Sequence, residues 1–217
     1  MKVNKNLIVL DTETSGFTPD KNSLTQIAFI AVDSFTFEEK ARYNTYIKPY
    51  DNSLIWNQQA SELTGITKEK CEMEGKDLRI VLDEICQIFK SLKVSYYIPS
   101  FVGANFQFDS MFLENVFDRI YGENSGKGKR NKLYDYVNSS ALDIQDLARQ
   151  TFINDELANF KLETIGDFIG VENRSAHDGL ADVEQTLEIY KYFILRMRNG
   201  NNSNNIDLNK VKFNFQF

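Results

Sequence analysis

The chain places two carboxylic acids directly after a run of four aliphatic residues, Leu7 to Leu10. A continuous apolar run of this length is typical of a strand that is buried on both faces, as in the centre of an α/β sheet. Asp11 and Glu13 then share one face of the strand, because side chains alternate with a period of two. Two neighbouring anions repel each other, and burying them without a partner is costly. The pattern therefore favours a hard divalent cation between them, and the alternative is a polar strand end with solvated acids.

The rest of the chain alternates between strand-like and helix-like patterns. Apolar runs predict strands at 7–10, 24–32, 41–48, 96–102 and 140–143. Apolar residues at helical spacing predict helices at 56–64, at 77–92, after Gly103, at 144–151, at 162–169 and at 178–198. In the first of these helices, Ala60 and Leu63 are expected to share one face. Three strands with short connections suggest an antiparallel meander, and the later βα units suggest a mixed sheet with helices on its faces.

The composition limits the classes of function. With 217 residues, of which 42% are hydrophobic, the chain suits one domain with a sizeable core, or one domain plus a tail. The net charge of −6 argues against a protein that coats nucleic acid regardless of sequence, because phosphate repels an acidic surface unless basic residues are clustered locally. An acidic balance does fit a protein that collects carboxylates to hold metal ions.

Cysteine usage and the N-terminus suggest a location. Cys71 and Cys86 have no CxxC spacing and no nearby histidine, so we expect core or surface thiols in a reducing compartment. The continuous apolar run before Asp11 is only four residues long, which is too short for a signal peptide or a membrane span. We therefore expect a soluble, cytoplasmic protein with no membrane association.

Two segments stand apart by composition. Residues 123–132 (ENSGKGKRNK) form the one strong charge run, which is interpreted either as an exposed loop without structure of its own or as a basic finger that touches a phosphate backbone. Residues 199–205 form an Asn-rich linker after a domain that spans 1–198. The alternating tail 206–217 is expected to add an edge strand, to be disordered, or to bind a partner such as a DNA polymerase or another replication protein.

Two further acids follow predicted element boundaries. Asp109 lies on the first turn of the helix that begins after Asn105, where an acid is also explained by its favourable interaction with the helix dipole. Asp143 ends the short strand at 140–143, and we expect it to support the site rather than to bind a ligand.

The one histidine of the chain, His177, immediately precedes the last long helix. Single histidines are often structural, but this one lies beside small residues that leave room for a bound group. The segment from Ser175 to Asp178 fits a capping box, which gives Asp178 a structural role and leaves Asp182 as the freer acid.

Together, the segments 11–16, 105–109 and 177–182 resemble the three exonuclease motifs of the DEDDh group. This is the DnaQ-like family of 3′→5′ exonucleases, which includes proofreading subunits of replicative DNA polymerases. The resemblance spans about residues 7–195 and extends to short matches at 46–49, 63–67, 142–143 and 162–165. It implies a ribonuclease-H-like α/β fold, in which a five-stranded mixed β-sheet is flanked by α-helices.

The resemblance also implies roles for individual residues. The metal-binding carboxylates would be Asp11, Glu13, Asp109 and Asp182, with His177 as the general base. Two cations about 3.5–4 Å apart can neutralise the attacking and leaving oxygens of a phosphodiester. All-oxygen ligands favour two Mg²⁺ or Mn²⁺ ions over zinc, and a neutral imidazole can accept a proton near neutral pH.

Substrate contacts are implied at Thr12, Thr14, Gly16, Phe17 and Asn105. Phe17 takes the place of an apolar residue that stacks on the terminal bases, although a core aromatic would also explain it. The residue before Asn105 is often histidine in the family and is Ala104 here, a departure that affects the contacts to the terminal nucleotide.

These observations predict a metal-dependent 3′→5′ exonuclease that acts on the 3′ ends of single-stranded or frayed DNA and releases nucleoside 5′-monophosphates. The alternative within the same family is a 3′ exoribonuclease, because both nucleic acids present the same phosphate chemistry. A binding module that kept the fold without catalysis is the alternative from another class, and the complete set of five motif residues argues against it.

Overall fold

The computed structural model describes residues 5–152, 157–171 and 178–200, and these form one mixed sheet with helices on both faces. The strands are β1 (Asn6–Thr14), β2 (Leu24–Asp33), β3 (Glu39–Tyr46), β4 (Ser100–Gly103) and β5 (Leu142–Asp143). Their order across the sheet is β3-β2-β1-β4-β5, with β1, β2 and β3 antiparallel and β4 and β5 parallel to β1. The predicted five-stranded mixed sheet is therefore confirmed.

Seven helices are found in the described residues. They are α1 (Gln58–Thr64), α2 (Lys68–Glu74), α3 (Leu78–Ser91), α4 (Phe106–Tyr121), α5 (Ile144–Thr151), α6 (Leu162–Ile169) and α7 (Gly179–Gly200), with a short 3₁₀ turn at Lys132–Asp135. None of the helices in these ranges is long and apolar enough to cross a membrane.

The central strand β1 separates two apolar layers. Ile8 and Leu10 belong to the layer that packs against α3 and α4, whereas Leu7 and Val9 belong to the layer under α5, α6 and α7. All four side chains are at least 94% buried, as predicted for a strand with both faces covered. The same alternation decides which helix each polar residue at the end of β1 meets.

The predicted strand at 96–102 is wrong in its first half. The strand begins at Ser100, and Val94 and Tyr97 instead exchange two backbone hydrogen bonds across a tight turn. Ser95 has a positive φ of 57° in that turn, and Tyr96 is 75% exposed. Pro99 has no N–H to donate to a neighbouring strand, which is consistent with the late start of β4.

The region 56–76 forms two short helices where the sequence predicted one. α1 ends at the left-handed Gly65, as expected, but none of its residues is buried, and Leu63 is 59% exposed. α2 was not predicted. It begins at the cap Thr67 and buries only Cys71, so its seven residues carry too few apolar positions to show a helical period.

The C-terminal boundary of the domain differs slightly from the expected one. α7 extends to Gly200, so the first two residues of the predicted 199–205 linker continue the helix. Arg198 fixes this end by donating to the carbonyls of Ser34 and Phe35, at 2.7 and 2.8 Å. The tail 206–217 lies outside the described residues, and its strand or partner-binding role stays a prediction.

Candidate active site

The carboxyl ends of β1 and β4 lie side by side, and both predicted acids of β1 project at this edge. Parallel pairing of Val9 with Val102 places the end of β4, at Gly103, beside Leu10. On the other side, Asp11 pairs with Ala28 of β2 and Glu13 pairs with Gln26. The carboxyl end of neighbouring parallel strands is the usual position of a ligand site in an α/β sheet.

α7 brings a third carboxylate to this edge. Its first residue, Gly179, lies so close to β2 that an added Cβ would be 3.3 Å from Gln26 Oε1 and 3.4 Å from the Ala28 Cβ. This close approach lets Asp182, in the first turn of α7, reach the acids of β1. Asp11, Glu13 and Asp182 each offer one carboxylate oxygen, and these three oxygens lie within 4.8 Å of one another.

Asp109 approaches β1 from the α4 side and lies close enough to Asp11 to raise its pKa. It lies in the first turn of α4 and is only 4% exposed. Its Oδ1 accepts two hydrogen bonds from Thr12, at 2.9 Å from the backbone N–H and at 2.7 Å from the hydroxyl. The even-numbered residues of β1 face α4, so the alternation that directs Asp11 and Glu13 towards α7 also directs Thr12 towards Asp109.

The four acids perturb one another strongly. Burial and the charges of Asp109, Glu13 and Asp182 hold the pKa of Asp11 well above its usual range. Burial, followed by the charges of Asp182 and Asp109, raises the pKa of Glu13 to about 8. Burial also raises the pKa of Asp109 to about 7, although the two Thr12 hydrogen bonds oppose this shift. Such crowding of anions is stable at neutral pH when a cation or protons neutralise it.

Asp143 supports the N-terminus of α4, in agreement with its predicted secondary role. Its carboxylate accepts from the backbone N–H groups of Asn105 at 3.2 Å and Phe106 at 2.9 Å. It also caps α5 by accepting from the N–H of Gln145 at 2.9 Å. Asn105 has left-handed backbone angles, φ 60° and ψ 43°, and makes no side-chain cap of its own. Asp143 thus satisfies backbone donors that the helix start leaves unpaired.

The turn after β1 is tightly bonded. The Thr14 hydroxyl donates to the carbonyl of Gly16 at 2.6 Å. A Cβ at Gly16 would lie 2.4 Å from Asn22 Nδ2, so only glycine fits where the chain passes this side chain. Phe17 follows and is 76% exposed, so its interpretation as a core aromatic is wrong. An exposed aromatic side chain therefore lies four residues after Glu13.

His177 lies outside the described residues, as does most of the predicted capping box at 175–178. The described part of that box is Asp178, whose Oδ1 accepts from the N–H of Leu180 at 3.0 Å. Its carbonyl also accepts from the N–H of Asp182 at 3.0 Å, at the start of α7. These contacts give Asp178 the structural role that the sequence suggested.

Two contributions to the site were missed from the sequence. Thr12 was expected to contact substrate, whereas its hydroxyl bonds to Asp109 and its side chain is 6% exposed. The strand alternation carried the signal, since Thr12 must face away from Asp11 and Glu13. The close approach of Gly179 to β2 was also missed, because sequence periodicity does not show how closely a helix approaches a sheet.

The chain is similar to exonucleases in both sequence and structure. The family model RNase_T, described as an exonuclease family, matches residues 8–190. The chain is 26% identical to the 3′-5′ DNA exonuclease Cap18 of Escherichia coli, over 88% of this chain and 93% of that protein. It is 25% identical to Ribonuclease T of Buchnera aphidicola subsp. Baizongia pistaciae, over 88% of this chain and 84% of that protein.

A solved structure shares the fold. The zinc-bound complex of E. coli ExoI with single-stranded DNA superposes with a TM-score of 0.72 at 25% identity, covering 90% of this chain. The match covers 41% of the ExoI chain, so this chain spans about two fifths of that enzyme.

Proposed function

The chain belongs to the RNase_T exonuclease family, and on that basis we propose that it removes nucleotides successively from the 3′ ends of single-stranded or frayed DNA. Family membership makes it a nuclease that cleaves phosphodiester bonds from a chain end. The DNA substrate is supported by the similarity to Cap18, which the chain matches over nearly its whole length.

The observation that carries the proposal is the convergence of Asp11, Glu13 and Asp182 within 4.8 Å, with Asp109 beside them. The raised pKa values of Asp11, Glu13 and Asp109 support a site that needs positive charge or protons around these oxygens. Carboxylate oxygens are the ligands that hard divalent cations prefer, so the residues fit such ions. We propose two Mg²⁺ or Mn²⁺ ions, which when bound would neutralise charge on the attacking and leaving oxygens of the phosphodiester.

The proposed metal ligands form two sets, according to whether they lie on the α7 side or the α4 side of β1. Asp11, Glu13 and Asp182 would bind one ion on the α7 side, and Asp11 and Asp109 would bind the second. Thr12 would hold the Asp109 carboxylate in its orientation through its two hydrogen bonds. Ligand orientation by such neighbouring hydrogen bonds commonly sets metal affinity.

His177 is proposed as the general base that takes a proton from the attacking water. The support is its place in the chain, two residues before Gly179. Gly179 lies so close to β2 that an added Cβ would be 3.4 Å from the Ala28 Cβ. Ala28 is the strand partner of Asp11, so the start of α7 passes the acidic cluster, which consists of Asp11, Glu13, Asp109 and Asp182. An imidazole with an ordinary pKa near 6.5 is neutral, and so able to accept a proton, at physiological pH.

Substrate binding is proposed at the turn after β1 and at the start of α4. The exposed ring of Phe17 is available to stack on a terminal base, which is typically worth about 1–3 kcal/mol. Thr14 and Gly16 shape the turn that presents Phe17, and Asn105 is proposed to contact the strand from the other side of the cluster.

A second candidate function is a 3′ exoribonuclease, which the similarity to Ribonuclease T favours. The acids and Phe17 engage phosphate and base, which DNA and RNA share. Discrimination between them needs a contact to the 2′-hydroxyl.

Partners and location complete the proposal. We propose a cytoplasmic enzyme, a location that the free, buried thiols of Cys71 and Cys86 support because such thiols persist under reducing conditions. A DNA polymerase or replication protein bound through the tail 206–217 is proposed from the alternating sequence of that tail.

The test uses 5′-labelled DNA and RNA 20-mers of the same sequence, incubated with enzyme and Mg²⁺. We expect a ladder of progressively shorter labelled products, formed faster from DNA than from RNA. Early release of the label as a mononucleotide, cuts at internal positions, or intact substrate would contradict the proposal. Faster shortening of the RNA would replace it with the exoribonuclease.

A further inference from the structure

The basic loop, residues 123–132, is the strongest positive charge run in a chain whose net charge is −6. It carries four cationic side chains, namely Lys127, Lys129, Arg130 and Lys132. Neither the acidic cluster nor the turn at Phe17 accounts for this loop. A local cluster of positive charge on an acidic protein is where a phosphate backbone is attracted.

The basic loop is folded, contrary to the expectation of a loop without structure. The N–H of Gly126 donates to the carbonyl of Arg130 at 2.9 Å, which closes the loop at its base. The N–H of Lys127 donates to Asp135 Oδ1 at 3.0 Å. The loop therefore presents its side chains in a defined arrangement.

Two of its four cations are committed within the fold and two are not. Lys132 binds Asp135 at 3.0 Å, and Arg130 donates to the carbonyl of Tyr134 at 2.6 Å. Lys127 and Lys129 are exposed, and their ammonium groups form no ion pair with any residue in 5–152, 157–171 or 178–200. These two lysines are available to an external anion.

The base of the loop is fastened to the helix that carries Asp109. Asn131 donates to the carbonyl of Glu114 at 2.9 Å, and the Tyr134 hydroxyl donates to the Glu114 carboxylate. Glu114 follows Asp109 by five residues on α4. That separation is about 7.5 Å along the helix axis, so the loop base lies about one and a half turns from the acidic cluster.

A polar groove of about 380 Å³ lies between the start of α4 and the segment that anchors the basic loop. Asn105 and Gln107 line it at the start of α4, and Tyr134 lines it beside the loop. Two carboxylates also line it, but Asp143 accepts from the backbone N–H of Phe106 and Asp146 pairs with Arg149. The side-chain amides of Asn105 and Gln107 offer donors and acceptors, which suits the polar edge of a nucleobase. The groove thus extends from the start of the helix that carries Asp109 to the anchor of the loop.

We propose that the polar groove and the basic loop bind the part of the substrate strand 5′ of the cleaved bond, with the groove accepting a nucleotide and Lys127 and Lys129 contacting backbone phosphates. This inference rests on the proposed function. It explains how an acidic enzyme retains a polyanion, because the positive charge lies on the path of the strand rather than at the acids.

The experiment compares Lys127→Ala/Lys129→Ala with wild type on a 5′-labelled DNA 20-mer and on a dinucleotide, at 50 and 200 mM salt. Each phosphate contact to a single strand contributes a slope of about 0.7 in the logarithmic salt dependence of affinity. Between 50 and 200 mM salt, the KM for the 20-mer should therefore rise in both proteins. The factor of this rise should be roughly sevenfold larger in wild type than in the variant, which has lost two phosphate contacts. The kcat is expected to stay unchanged.

The matched control is Lys90→Ala/Lys93→Ala, which removes the same charge at the end of α3. There Leu92 accepts from Asn6, the first residue of β1, so these lysines lie at the opposite end of β1 from Asp11. We expect the control to keep the salt dependence of wild type, and both variants to cleave the dinucleotide as wild type does, because its one phosphodiester is the bond cut.

The outcomes separate the two claims. Equal salt dependence in wild type and Lys127→Ala/Lys129→Ala would overturn the proposed binding of the strand by the basic loop. It would leave the proposed exonuclease activity unaffected. An equal effect of the control pair would also overturn it, since the charge would then act from any surface. Absence of cleavage of both substrates by wild type would overturn the proposed function and the path with it.

Discussion

Thr12 and Asp109 are 97 residues apart in the chain, yet both polar hydrogens of Thr12 point at the same carboxylate oxygen. The backbone N–H fixes the position of that oxygen relative to β1, and the hydroxyl, at 2.7 Å, fixes its rotation. Since Asp11 neighbours Thr12 on the strand, this contact sets the spacing between the acid of α4 and the acids of β1. The central strand thereby organises the acids on both of its faces.

Thr12→Val should lower both kcat and the free energy of unfolding. It keeps the shape and the backbone N–H but removes the hydroxyl donor, which leaves a buried oxygen of Asp109 with one hydrogen bond fewer. We expect the free energy of unfolding to fall by about 1–3 kcal/mol. We also expect kcat to fall at saturating Mg²⁺ with little change in KM for the oligomer. Thr12→Ser keeps the hydroxyl and should recover most of the activity, so equal kcat values for the two variants would contradict this role.

Asp143→Ala should reduce activity without removing any proposed metal ligand. It leaves the backbone N–H groups of Asn105, Phe106 and Gln145 without their acceptor, which frees the first turn of α4 and of α5. Loss of such an N-cap costs about 0.5–2 kcal/mol, and loss of comparable supporting groups lowers metal affinity or activity about 10–100-fold.

The control for Asp143 is Asp77→Ala, which removes the N-cap carboxylate of α3. Asp77 is exposed and accepts from the N–H of Arg79 at 2.9 Å. Asp143→Asn retains an acceptor oxygen and should lie between Asp143→Ala and wild type. The measurement is the Mg²⁺ concentration that gives half of the maximal cleavage rate in each variant. If Asp143→Ala leaves that concentration unaltered, a positioning role for Asp143 is excluded.

Phe17→Ala should weaken substrate binding and leave stability unchanged. Its side chain is 76% exposed, so its removal should change the free energy of unfolding by less than about 0.5 kcal/mol. Loss of one stacked base would raise KM for single-stranded DNA by an amount equivalent to about 1–3 kcal/mol. Met73→Ala, at 77% exposure, is the matched control on another surface, and a KM that responds equally to both changes would exclude a specific contact at Phe17.

The metal-free protein should lose stability as pH rises from about 4 to 8. The pKa values of Glu13 and Asp109 are raised from 4.5 and 3.8 to about 8 and about 7, so the folded state binds more protons than the unfolded state within this window. Stability therefore falls with rising pH, because deprotonation leaves the folded state with repelling charges.

Cations should reverse this loss. Melting temperatures measured in EDTA and in Mg²⁺ should differ little near pH 5, where protons neutralise the acids, and should separate increasingly towards pH 8. A gap that is constant across this range would indicate that Mg²⁺ stabilises the protein at other sites.

The sequence predicted those parts of the fold whose signal is local. The buried run at Leu7–Leu10 and the amphipathic period of α3 were sufficient to identify a central strand and a covering helix. The predicted span 144–151 coincides with α5, whose N-cap Asp143 marks its beginning, and the predicted span 162–169 coincides with α6, which the left-handed Gly170 ends. In each case a short stretch of chain contains both the pattern and its boundary.

What could not be predicted depends on contacts between distant segments. The late start of β4 depends on the turn closed by Val94 and Tyr97, and α2 depends on burial of one residue, Cys71. The commitment of Thr12 to Asp109 required the relative placement of β1 and α4. Strand alternation, the positions of helix starts and the resemblance to a family identified the acids, but not the hydrogen bonds that hold them.

The measurement that tests the account most directly is cleavage of the 5′-labelled DNA 20-mer by wild type and by Asp182→Asn, each with a calorimetric Mn²⁺ titration. Asp182→Asn keeps the size of the side chain while removing one of the three converging carboxylates. The account predicts a metal-dependent product ladder for wild type, with both the ladder and the Mn²⁺ affinity greatly reduced in the variant at unchanged folding. Wild-type cleavage that proceeds in EDTA, or a variant that cleaves and binds Mn²⁺ as wild type does, would contradict it.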